Sequence, residues 1–398
     1  MNFFKSLKFK YLRFFLIGLA IFFAAEICVI IFINNFYLKD TGKYNTSIIT
    51  TTSSKNIIKP MSIDAGAEKL AVSHDGRYVA YEKNGALSVL DMSTGKADNV
   101  DSVTNAQVSC FTWIYDRDRL IIAEKTVTGG SYYIKMYYYD MRDVALTEIR
   151  NNDADKDIKV NISNKTDEIT GIDMSTPMVK TYVKATTQSG TSKIWEIDAF
   201  TGIDSRSYTV SKNIGKIQML KSQDHLLYED AANGKVYLYG DNTPLEPVQG
   251  STSLRILGFD SSDNVYLADA KGGATRTIYC GSYDNVKDKW TWSTVKLDKA
   301  VDASEIFIWY YGGIYYNDIS NSTLVKAWPI SDSIQTSSAS SATSSSSMTS
   351  SSKSSSSSSG SSSASTENGI KYDGKIISIF DSGFLAIYNN KITPYFFK

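Results

Sequence analysis

The chain has 398 residues, with 42 Lys+Arg against 42 Asp+Glu and a formal net charge of zero. That balance argues against a dedicated nucleic-acid binder, which shows a basic excess or a basic stripe. Hydrophobic residues make up 42% and aromatics 12%, with 26 Tyr and only six Pro, enough for a real core rich in strand-favouring side chains.

Phe14 to Ile33 is a run of 20 residues with a single charge, Glu26. About 20 apolar residues match the hydrocarbon thickness of a bilayer. Lys5, Lys8, Lys10 and Arg13 precede the run, and Asn34, Asn35, Lys39 and Asp40 follow it. The basic excess predicts a cytoplasmic tail at 1–13, one transmembrane helix at 14–33 and an extracytoplasmic remainder in the cell membrane. A cleaved signal peptide is the competing reading, but its apolar region is usually about 7–15 residues and ends at small residues. Here bulky Val29, Ile30, Ile31, Phe32 and Ile33 close the run, which favours an uncleaved anchor. An ionisable residue inside a span is costly and tends to face a partner or a cavity. Glu26 is therefore read either as a contact to a membrane partner or as a protonated or snorkelling side chain without a role.

Residues 34–66 are polar, rich in Ser and Thr, and read as a stalk that supplies a closing strand. From Lys69 onward a unit recurs: an apolar strand, a short polar turn, and a second apolar strand. The turns are Asp75-Gly76, Asp116-Arg117-Asp118, Ser175-Thr176-Pro177, Ser222-Gln223-Asp224, Ser261-Ser262-Asp263-Asn264, Gly312-Gly313 and Asp381-Ser382-Gly383. Third strands follow, for example Ala86–Met92, Tyr133–Asp140 and Lys193–Ile197. Helical periodicity is absent beyond the anchor. Evenly spaced short strands with turn signals, repeated at about 40 to 60 residues, predict an all-β, about seven-bladed β-propeller preceded by one transmembrane α-helix.

Ser73-His74-Asp75-Gly76-Arg77-Tyr78-Val79-Ala80-Tyr81 resembles the SPDG-type repeat of TolB-like, WD40-like propellers, with His74 where the usual Pro stands. Asp91-Met92-Ser93-Thr94-Gly95 and Asp198-Ala199-Phe200-Thr201-Gly202 resemble the D-x-x-T-G turn of the same repeats. The resemblance implies a propeller over most of residues 67–330.

Residues 331–366 hold 23 Ser in 36 positions and are expected to be disordered, because they cannot bury enough apolar surface to offset ordering entropy. Residues 367–398 return to strand patterning and are too few to stand alone, so they are read as the last blade. A stalk segment near Ile48–Thr52 or Lys55–Lys59 is expected to close the ring. The alternative is a tethered C-terminal peptide. Pro394 fits only a strand edge or end.

No motif requires a cofactor or a metal. Cys28 lies in the apolar run; Cys110 and Cys280 are the possible intradomain pair, with two buried thiols as the plainer reading. His74 and His225 both flank turns. Asp153, Asp155 and Asp157 alternate like a calcium loop, yet Ile158 and Asn164 stand where such a loop needs Gly and Glu, so a solvated turn is the simpler reading. Of the aromatic clusters, Trp309, Tyr310 and Tyr311 beside Gly312-Gly313 are the leading candidates for a ligand-stacking or protein-binding patch, with Trp290 and Trp292 next. Consecutive strand residues face opposite ways, so half of each cluster is expected in the core and half exposed or between blades. The function expected is a non-enzymatic binding or scaffolding module for a membrane or envelope protein or a cell-surface polysaccharide, with no nucleic-acid partner. A hydrolase or lyase working in the propeller channel is the alternative.

Overall fold

Seven antiparallel sheets of successive chain segments make seven blades of a β-propeller. A computed structural model describes residues 58–100, 107–151, 156–158, 160–162, 164–175, 180–198, 202–203, 213–220, 225–240, 243–248, 251, 253–284, 287, 289–328 and 369–397, and also Leu19, Phe22, Phe23 and Glu26. Those last four are helical and exposed; the rest of the apolar run at 14–33 lies outside the described residues. No described helix is long and apolar enough to cross a membrane. Residues 1–52 form a unit of their own, and Ser53–Lys398 form the propeller unit.

The inner strands of blades one to seven are Glu68–Val72, Gln107–Trp113, Glu168–Met174, Ile214–Met219, Leu254–Phe259, Ile306–Trp309 and Lys375–Phe380. Each pairs outward with the next strand in sequence. Neighbouring inner strands touch all round the ring, and Glu68–Val72 meets both Gln107–Trp113 and Lys375–Phe380. Closure is completed by Met61–Ser62, which pairs with Ile392 and Lys391 as the outer strand of blade seven. That strand lies just beyond Lys55–Lys59; Ile48–Thr52 lies outside the described residues. Its ladder would next have met Thr393 and Pro394, and Pro60 precedes it, so both chains lose N–H donors where the pairing stops.

Gly369–Lys371 adds the outer strand of blade six rather than starting the last blade. The serine tract therefore interrupts blade six between its third and fourth strands. The Asp-rich stretch falls between blades two and three, where Arg150–Asn151 pairs with Lys156–Asp157; Asp153 and Asp155 lie outside the described residues.

The apolar side chains form seven clusters among the described residues, each shared by two adjacent blades. The ring-closing one joins Val79, Leu90 and Met92 of blade one to Phe380, Leu385 and Ile392 of blade seven. For the Tyr315-Tyr316 pair, the half expected to be exposed or between blades lies between blades. Tyr315 and Tyr316 are both buried, one facing blade seven and the other facing blade five. A second strand in a propeller is covered on both faces by neighbouring blades, so alternation sorts its residues between two cores instead of between core and water.

Inner strands of six blades carry a β-bulge against the second strand; only blade six lacks one. A bulge frees backbone groups from the ladder, and buried ones must be met elsewhere. Lysines of the preceding blade meet three of them: Lys69 Nζ donates to Ser109 O at 3.4 Å, Lys184 Nζ to Gly215 O at 2.6 Å, and Lys216 Nζ to Leu257 O at 2.7 Å. Lys125 Nζ similarly reaches Lys165 O at 2.7 Å, ahead of blade three. Long apolar stems let these side chains run along the blade boundary and deliver only the ammonium. Glu229, 6% exposed, completes the device by accepting from Lys216 N at 2.9 Å and from Ile256 N of blade five at 2.6 Å.

Candidate functional site

Among the described residues, the turns between inner and second strands of blades five, six, seven and one lie together at one end of the ring. In blade one, Asp75 Oδ1 accepts from Ser73 Oγ at 2.7 Å and from Arg77 N at 2.9 Å, and Tyr78 N donates to Ser73 Oγ at 2.9 Å. Short side chains that satisfy their own backbone explain why Ser-x-Asp-Gly folds as this turn. Asp260 does the same in blade five, accepting from Ser262 N, Asn264 N and Tyr266 Oη.

The turns are laced to one another by hydrogen bonds, two between backbones and one from an indole N–H. Ser261 N donates to Tyr310 O at 2.7 Å, Trp309 Nε1 to Asp381 O at 3.1 Å, and Asp381 N to His74 O at 2.9 Å. These three bonds carry blade five to six, six to seven, and seven back to one. Blade two contributes differently. Its Tyr115 ring packs at a tilt against Tyr310, with ring centroids 4.3 Å apart, and against Phe259 at 5.1 Å. Blade two is adjacent to neither blade five nor blade six, so this ring crosses the axis and plugs the channel at this end. The sequence reading missed Tyr115. Its one local signal was an aromatic immediately before the Asp116-Arg117-Asp118 turn.

Trp309 and Tyr311 pack edge to face at 5.1 Å, Tyr310 and Tyr311 at 5.1 Å, and Trp309 rests on Phe397 at 5.7 Å. Tyr311 is 50% exposed, so the cluster presents an open ring at the channel mouth. Trp290 and Trp292 lie elsewhere. They stack at 5.2 Å on the outer hairpin of blade five, packed against the apolar cluster that blades four and five share. Tyr283 joins Trp290 at 5.1 Å and meets His225 at 5.4 Å. The five aromatic candidates thus fall into two separate clusters, and His225 belongs to the second as a packing residue.

Charge at the mouth is mainly acidic. Asp118 faces His74 across the boundary of blades one and two, Oδ1 to Nδ1 at 3.7 Å, and neither atom has a hydrogen-bond partner although both are buried. His74, Asp75 and Asp118 together could hold a metal ion. Burial first, and then the nearby Asp75 charge, raise the Asp118 carboxyl above its ordinary range; burial likewise raises Asp381, with Asp75 adding to it. Asp116 is neutralised by Arg117 at 2.7 Å.

A cavity of about 630 Å³ lies between the inner strands of blades one to three, with Lys69, Lys125, Cys110 and Glu168 on its walls. Cys110 and Cys280 are both free thiols, in blades two and five.

No known protein family matches the chain, and no curated protein is similar to it in sequence. Among solved structures it is similar to a chain in "Crystal Structure of Mitotic Checkpoint Complex", at 12% identity and a TM-score of 0.41, covering 68% of this chain and 78% of that one. "Structure of Dos1 propeller" matches at 14% identity and a TM-score of 0.39, covering 65% and 64%. "Crystal structure of the WD40 domain of SCAP from fission yeast" matches at 13% and 0.30, covering 67% and 59%. The strand pairing makes the chain a seven-bladed β-propeller, and WD40 propellers are among its structural neighbours.

Proposed function

We propose that this protein is a membrane-anchored, extracytoplasmic propeller of TolB-like type that acts as a non-enzymatic binding module for a cell-surface polysaccharide or an envelope protein. The carrying observation is the exposed Tyr311 on its Trp309–Tyr310 base beside a mouth plugged by Tyr115. A rigid, half-exposed aromatic surface supplies contact area at low entropic cost. The anchor is the apolar run 14–33, with its basic flank in the cytoplasm and Glu26 available to a membrane partner.

Co-sedimentation of the full-length protein with cell envelopes tests the reading. Tyr311→Ala and Trp309→Ala are expected to lose retention, and Glu26→Leu to lose only in-cell cross-links to a membrane protein. Retention unchanged in both aromatic variants would reject the platform.

A second reading, a hydrolase or lyase acting on a cell-surface polymer in the propeller channel, draws on Asp118 and Asp381. Raised carboxyls at a channel mouth suit a general acid. Release of new chain ends from envelope polymer by the wild type, and not by Asp118→Asn, would favour it.

A further inference from the structure

Lysines tie blade three to four and blade four to five at short range: Lys184 Nζ lies 2.6 Å from Gly215 O, and Lys216 Nζ 2.7 Å from Leu257 O. Between blades one and two the same device is slack. Lys69 Nζ is 3.4 Å from Ser109 O, while Glu82 takes its charge at 2.7 Å. The Lys69 backbone stands at φ +51°, a left-handed conformation that residues other than glycine rarely adopt. Between blades two and three, Lys125 bypasses the bulge at Thr170 and donates instead to Lys165 O at 2.7 Å and Asp167 O at 3.1 Å. The cavity of about 630 Å³ lies at these two looser boundaries. Its size is that of a small-ligand site, for which about 300–1,000 Å³ is usual.

Two opposite charges line that cavity without cancelling. Of the three N–H donors a lysine carries, Lys125 gives two to neutral carbonyls, which fix the ammonium without neutralising it. Glu168 is exposed, and among the described residues its carboxylate has no hydrogen-bond or ion-pair partner. The two residues are close, because the Asp167 carbonyl that Lys125 holds is bonded to the Glu168 nitrogen. Other walls are apolar, and of these Val108, Phe111 and Ile169 are buried.

We infer that this cavity binds a free α-amino acid with a large apolar side chain, its carboxylate on Lys125, its ammonium on Glu168, and its side chain against Val108, Phe111 and Ile169. An α-amino acid carries both charges on one carbon, which suits an ammonium and a carboxylate held by neighbouring backbone. The charged ends of an extended peptide move apart by about 3.3–3.6 Å for each further residue. A simple acid or a simple amine leaves one wall charge unanswered, and a neutral sugar answers neither. None of these residues belongs to the Tyr311 platform, so the two sites stand or fall separately.

The test is calorimetric titration of the full-length protein in detergent with phenylalanine, with phenylpropionate, which lacks the amine, and with phenethylamine, which lacks the carboxylate. Phenylalanine is expected to bind at least about tenfold more tightly than either, the worth of one charged hydrogen bond. Glu168→Gln, at an exposed position, should retain the thermal midpoint and lose the preference over phenylpropionate. Lys125→Met should lose the preference over phenethylamine. Bound phenylalanine should also slow alkylation of Cys110, a free thiol that lines the same cavity. No binding by any of the three, or equal binding by all, overturns the amino-acid site. Binding that both variants retain, that Tyr311→Ala abolishes, or that leaves Cys110 alkylation unchanged places the ligand elsewhere and overturns it too. Phe-Gly-Gly bound more tightly than phenylalanine would make the cavity a peptide site and overturn the amino acid.

Discussion

Tyr115 of blade two and Tyr310 of blade six lie with ring centroids 4.3 Å apart across the propeller axis. The hydrogen bonds that tie turn to turn at blades five, six, seven and one run between adjacent blades, whereas Tyr115, through Tyr310 and Phe259, spans the ring. Truncating Tyr115 to Ala removes its contacts with both Tyr310 and Phe259. The expected cost is roughly 2–4 kcal/mol, typical of a large aromatic cut from a packed site. Chemical denaturation of Tyr115→Ala and Tyr115→Phe measures it; Phe should cost under about 1 kcal/mol, since the ring remains.

Gly76 answers two constraints together. Its φ is +77°, and a Cβ there would fall 2.7 Å from the Phe380 ring of blade seven. The left-handed backbone alone costs an L-residue about 1–2 kcal/mol. Phe380 sits in the ring-closing cluster and is held on several sides, so it has little room to yield. Gly76→Ala should therefore destabilise by at least about 2 kcal/mol, more than Gly85→Ala, where nothing lies near the added carbon. Comparing the two unfolding midpoints checks this.

Asp140, with its side chain 5% exposed, accepts from Arg142 Nη2 at 3.0 Å and Arg119 Nη2 at 2.6 Å. The Arg142 hydrogen bonds, and after them those of Arg119, hold its carboxyl far below the usual carboxylate range. A depressed folded pKa gives stability that is present above the ordinary carboxylate pKa and lost as pH falls through the folded value. Asp118 and Asp381 run the other way: their raised values make ionisation unfavourable in the fold, so protonation on mild acidification stabilises. Arg119→Ala should cost on the order of 2 kcal/mol at neutral pH, because Arg142 still answers Asp140, and should flatten the acid limb of the stability profile. Asp118→Asn should stabilise at neutral pH, with the gain fading as pH falls. Urea titrations across pH 3–8 (roughly the carboxylate range) separate the two signs.

Cys280 has its thiol pushed up to about 11 by burial. At pH 8 only about one thiol in a thousand is then the reactive thiolate. Iodoacetamide should leave Cys280 unmodified in the folded protein and label it promptly in denaturant, read by mass spectrometry of its peptide. Prompt labelling without denaturant would show that blade five opens.

Much of the architecture is carried by local sequence. Alternating apolar pairs around Asp75-Gly76 or Asp116-Arg117-Asp118 specify a strand, a turn and a strand through contacts a few residues long, and their repetition specifies blades. Tyr310 and Tyr311 stood out for the same local reason, an aromatic pair at a Gly-Gly turn. The tertiary structure decided what depends on distant partners. The sequence does not show that Tyr115 meets Tyr310, that His74 faces Asp118, that Trp290 and Trp292 pack against the cluster shared by blades four and five, or that Met61–Ser62 closes blade seven. Each brings together residues far apart in the chain. Blade packing places them by the shape of the whole ring, which no short window of sequence contains.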